Sequence, residues 1–127
     1  MFSKEQRYEP SLTAPRRARH LIDEFLQVVD GEDLRDEADL LTSEVVADAV
    51  RQAPSQISVR AEFDEGVLRV EVSDDPGLVT DPGAGRFERR TGRQLVEALA
   101  SSWGSDLDRD RTTTWFELRS KRIRWAA

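Results

Sequence analysis

The chain has 127 residues, with 19 Lys and Arg against 25 Asp and Glu and a formal net charge of −6. That length supports one domain, and 35% charged with 38% hydrophobic residues describes a globular chain with no run approaching the roughly 20 apolar residues a membrane helix needs. The lack of cysteine excludes disulfides and thiolate zinc sites, and the single histidine, His20, argues against a Ser-His-Asp triad or a His-rich metal centre.

The first twelve residues read as an N-terminal arm, ahead of a domain over 13–118 and a basic tail over 119–127. A helix starts near Thr13-Ala14-Pro15, with Thr13 as cap and Pro15 in the first turn. Ala18, Leu21, Ile22, Phe25, Leu26 and Val29 then recur at helical spacing, and Gly31 stops the helix. A second helix runs from about Leu34 to Ala53, ahead of Pro54. Ala38, Leu41, Val45, Ala49 and Ala53 form its core side, and Glu37, Glu44, Asp48 and Arg51 the opposite arc.

The period then changes. Gln56 to Phe63 alternates, Asp64-Glu65-Gly66 turns the chain, and Val67 to Val72 alternates again, which predicts an antiparallel hairpin with one buried face. From Asp74 to Arg90 the chain is irregular and carries Pro76, Gly77, Pro82, Gly83 and Gly85, a length that suits a binding loop or lid. A third helix is expected over about Gly92 to Ser102. Trp103-Gly104 then makes a turn, Ser105 to Arg111 a polar loop, and Thr112 to Leu118 a strand. Helices of this amphipathicity must cover a sheet face, so the fold expected is α+β, a two-layer sandwich with a mixed, mostly antiparallel sheet.

Four places carry candidate chemistry. Glu44 and Asp48 lie one turn apart on one helix face, either as a Mg²⁺ ligand and a base or as a solvated acidic arc. Asp74, with Gly77 three residues on, is either an acceptor for a ligand amine beside backbone that a flat ring can approach, or an ordinary Asp/Pro/Gly turn. Gly92, after Arg89-Arg90-Thr91, is either an anion-binding helix start or merely a helix start. Thr113 is either a site residue or a β-prone residue in a strand.

In order and spacing, Ser43 to Arg51, Asp74, Gly77, Gly92 and Thr113-Thr114-Trp115-Phe116-Glu117-Leu118 resemble the anti-sigma-factor serine/threonine kinases. These are small members of the ATPase superfamily shared by histidine kinases, gyrase and heat-shock chaperones. The resemblance spans about Leu12 to Leu118 and includes the Arg16-Arg17-Ala18-Arg19 helix start and the Leu95-Val96-Glu97-Ala98-Leu99-Ala100 helix. It implies a Bergerat-type nucleotide site for ATP and Mg²⁺. Asp74 would bind the adenine amine, Gly77 would give the ring room, and Thr113 would buttress Asp74. Gly92 would face the phosphates under a lid over about Val79 to Thr91, Asp48 would hold the metal, and Glu44 would act as the base. It further implies a sigma factor or an anti-sigma antagonist as partner, with phosphorylation of a hydroxyl on the antagonist, and homodimers.

The chain departs from that pattern at four points. Asp48 replaces the metal-binding asparagine, and no histidine follows in Arg51-Gln52. Arg90 and Arg93 replace a glycine and an apolar residue before and within the third helix, and the glycine run after the strand is shortened to Asp74-Asp75-Pro76-Gly77. Without a metal, a charge on Asp48 at ~5 Å from a phosphate would repel it by roughly 3 kcal/mol at an effective dielectric near 20. A non-catalytic interaction module on the same scaffold is therefore the alternative, and a sensor of some other small anion a third reading. No nucleic acid is expected as partner, because the arginines are spread from Arg7 to Arg124 on an acidic chain. No membrane association is expected, and Met1 to Glu5 lacks a signal-type apolar core, which points to the cytoplasm.

Overall fold

Residues 1–52, 56–74, 90–108 and 111–122 are described by the structure, a computed structural model, with the side chains of Arg90, Thr91 and Asp108 excepted. Helix α1, Ala14–Val28, places Pro15 in its first turn and buries Ala14, Ala18, Leu21, Ile22, Phe25 and Leu26. Its end follows a Schellman pattern: the Gly31 N–H donates to the Leu26 carbonyl at 2.8 Å. The left-handed residue there is Asp30, with φ 58°. Gly31 is needed for space instead, since a Cβ would lie 2.9 Å from Leu26 Cδ2. After a 3-10 turn over Glu32–Leu34, helix α2 covers Arg35–Gln52.

Strands β2, Ile57–Asp64, and β3, Val67–Asp74, form the expected hairpin. Glu65 and Gly66 link them with φ of 50° and 79°, the two positive angles a type I′ turn demands. Helix α3 is Arg90–Leu99, two residues earlier at its start than expected. Strand β5, Arg111–Arg119, pairs with β3.

Two strands were hidden in the sequence. Phe2–Tyr8, read as an arm, is β1 and pairs with β2; Ser102–Asp108, read as a turn and polar loop, is β4 and pairs with β5. Both lie at the margins of the sheet, whose order is β1-β2-β3-β5-β4 with every described pair antiparallel. A margin strand has one neighbour and much of its surface in water, so its side chains need not alternate. Of β1, only Tyr8 is buried.

The three helices cover one face of this sheet. Ile57, Val59, Ala61, Leu68, Val70, Val72, Phe116 and Leu118 point into the layer between, where they meet Ile22, Leu26, Leu41, Val45 and Val96. Each fully buried large side chain contributes about 1.5–3 kcal/mol through removal from water. The opposite face carries charged ladders: Arg60 pairs with Glu62, and Arg69 pairs with Glu71 and Glu117. There the Arg69 guanidinium lies 4.1 Å over the Trp115 ring, and Gly104 across the strand leaves room for the indole.

Polar groups join α1 to α2. Arg19 donates to Ser43 Oγ at 2.8 Å, and Arg35 Nε lies 3.5 Å from Asp23 and 3.8 Å from Asp39. Burial, followed by a hydrogen bond and repulsion from Asp23, pushes the Asp39 carboxyl up to about 7, against the pull of Arg35 and Arg19.

Candidate functional site

Where β3 and β5 run beneath the C-terminal half of α2, a cleft is lined by Val45, Asp48, Ala49 and Gln52 from the helix and by Val72, Asp74, Thr112 and Thr114 from the strands. Two carboxylates face it. Asp74, the last residue of β3, is 6% exposed because strand alternation carries it inward with Leu68, Val70 and Val72. Its Oδ1 accepts a hydrogen bond from the Thr112 N–H at 3.1 Å.

Asp48 is 5% exposed, so the solvated-arc reading fails for it. The reason is visible in the helix: Asp48 follows Val45 by three residues and Leu41 by seven, and so continues the apolar stripe. Arg51 pairs with its Oδ1, and Gln52 Nε2 donates to its Oδ2 at 2.8 Å. Both carboxylate oxygens are thus engaged by the next turn of the same helix.

Thr113 is not beside Asp74. It faces the other side of the sheet, where its hydroxyl and that of Ser73 lie 2.9 Å apart. The residues beside Asp74 on the cleft side are Thr112, its cross-strand partner, and Thr114, which pairs with Val72. A shift of one residue reverses the face. The signal was present, because Phe116 and Leu118 must face the core and share their parity with Thr112 and Thr114, not with Thr113.

Glu44 sits one turn before Asp48, half-buried, with Oε2 shielded from solvent; it does not line the cleft. Gly92 is buried as the third residue of α3, the helix that packs on α2, and does not open that helix. Gly77 and the expected lid up to Arg89 lie outside the described residues. Arg93 does not fill the cleft: its Nε donates to Glu97 at 3.1 Å and its guanidinium lies 5.8 Å over the Trp103 ring. Among the described residues the cleft encloses about 10 Å³, room for one water, and no three His, Cys, Asp or Glu side chains converge as metal ligands.

Chemically, the cleft floor presents a buried carboxylate and threonine hydroxyls at a sheet end. That set suits a ligand bearing an exocyclic amine, which a buried acceptor binds strongly because water cannot compete. Among the described residues, no helix is long and apolar enough to cross a membrane.

No family model matches the sequence, and no curated protein matches it. Solved structures do. The RsbU and RsbW domains of Rv1364c from Mycobacterium tuberculosis match at a TM-score of 0.74 and 21% identity, over 100% of this chain and 35% of that one. The histidine kinase AdeS of Acinetobacter baumannii matches at a TM-score of 0.55 and 6% identity, over 96% of this chain and 70% of that one. The chain thus spans about a third of the length of the Rv1364c structure. The α+β sandwich expected from the sequence is the fold observed, and it is the Bergerat-type ATPase fold.

Proposed function

We propose that the chain is an ATP-binding regulatory domain of the anti-sigma-kinase kind, acting on a sigma factor or on its antagonist in the cytoplasm. The observation that carries this reading is Asp74, buried at the end of β3 and aimed into the cleft beneath α2, where the sequence resemblance puts the adenine-binding acid. Asp74 accepts from the adenine amine, the Thr112 N–H holds that carboxylate in place of Thr113, and Thr114 lines the cleft beside it. Within this reading the γ-phosphoryl group moves to a hydroxyl oxygen of the partner and ADP leaves; the resemblance implies Glu44 as acceptor of the hydroxyl proton, although Glu44 lies outside the described lining of the cleft.

Calorimetry of ATP against the wild type and Asp74→Asn tests the reading. The wild type binds, and the variant loses about tenfold or more, since a hydrogen bond to a charged acceptor is worth about 1.5–3 kcal/mol. A folded wild type that takes up no ATP removes the nucleotide reading. The second reading, a non-catalytic interaction module, draws on the engagement of both Asp48 oxygens by Arg51 and Gln52, and that folded, ATP-blind outcome would favour it.

A further inference from the structure

Asp48 and Asp74 place two buried carboxylates on one small cleft, an arrangement that a polyanion would enter only if some cation offsets it. A cation is already built in. Arg51 pairs with Asp48 Oδ1 while Gln52 donates to Oδ2, and both residues come from the next helical turn, so the arrangement is intrinsic to α2. The Asp48 side chain, which lines the cleft, is 7% exposed, and that of Arg51 is 54% exposed, so the ion pair joins a buried carboxylate to a guanidinium in solvent. Magnesium demands near-octahedral oxygen ligands at about 2.1 Å. To reach Asp48 it would have to displace both a charge-assisted bond and an amide donor. These residues therefore do not fit Mg²⁺ at Asp48.

The geometry points to Arg51 standing in the place of a divalent cation, so that the cleft binds its nucleotide without Mg²⁺. This rests on the reading that the cleft takes an adenine nucleotide. Asp48 and Arg51 then act as one neutral unit, and the repulsion that a bare Asp48 would exert on a phosphate is cancelled within the protein.

Calorimetry of ATP in excess Mg²⁺ and in EDTA tests this, using wild type, Arg51→Ala and Arg51→Lys, each with its fold checked by circular dichroism. The wild type is expected to bind with affinities within about threefold in the two buffers. Arg51→Ala should bind about tenfold more weakly in EDTA and recover with Mg²⁺, because the uncovered Asp48 now needs the metal. Arg51→Lys, which keeps the charge, should stay metal-independent and guards against a misfolded alanine variant. A wild type that loses about tenfold or more in EDTA would overturn the inference and leave the nucleotide reading standing. So would an Arg51→Ala protein as indifferent to EDTA as the wild type. Absence of ATP binding by folded wild type in both buffers would end both readings together.

Discussion

Replacing Asp39 with asparagine should stabilise the protein, and increasingly so as pH rises. Asp39 faces Asp23 across the α1–α2 seam; their side chains are 23% and 20% exposed, and Arg35 lies between them. The folded Asp39 carboxyl is raised from 3.8 to about 7, chiefly by burial and then by Asp23. Unfolded, it loses its proton near 3.8, so between that pH and about 7 the folded chain holds a proton the unfolded one does not. Its contribution to stability is therefore complete below about 3.8 and is lost as pH climbs through about 7. In a dry site so large a displacement would be worth about 4 kcal/mol. Solvent reaches the rim of this pair and two arginines attend it, so the effect over pH 5 to 8 should be about 1 kcal/mol. Asparagine keeps the shape and never ionises. Urea unfolding of Asp39→Asn and wild type should show midpoints that move apart by about 0.5–1 M more at pH 8 than at pH 5. A separation that is equal at the two pH values, or narrower at pH 8, would refute the coupling of the two carboxyls.

Gly104→Ala should destabilise by about 1–3 kcal/mol, because the new Cβ would lie 2.9 Å from the Trp115 ring, and indole fluorescence should shift with it. Thr114→Val should weaken ATP binding severalfold in calorimetry, because Thr114 lines the cleft with Asp74, whereas Thr113→Val on the far face should leave the affinity unchanged. Equal effects from the two would contradict the register by which β5 presents Thr114 to the cleft.

The parts of the fold legible in the sequence are those where one periodic face is buried by many neighbours. The α1 stripe, the β2–β3 hairpin with its Glu65-Gly66 turn and the inward set of β5 all follow from spacing, because burying that face is what holds each element in place. β1 and β4 were not legible, since a marginal strand is held largely by backbone hydrogen bonds, which any side chain permits. The site divides in the same way. Asp74 is legible as a candidate because it ends an alternating strand, and Asp48 because of its spacing from Glu44, while the burial of Asp48 follows from its place on the Leu41–Val45 stripe. Strand parity, fixed by the inward Phe116 and Leu118, sets Thr112 and Thr114 on the cleft side and Thr113 on the far face. The pairing of Arg51 with Asp48 could be suspected from their i,i+3 spacing, but only the burial of one partner gives it consequence.

The most direct test of the proposed nucleotide cleft is amide chemical-shift mapping of the chain titrated with ATP. The shifts should concentrate on 45–52, 72–74 and 112–114, the segments that meet under α2. Shifts confined to other surfaces, such as the groove between β1 and α1 lined by Lys4, Tyr8, Arg17 and His20, would contradict the placement of a nucleotide at Asp74.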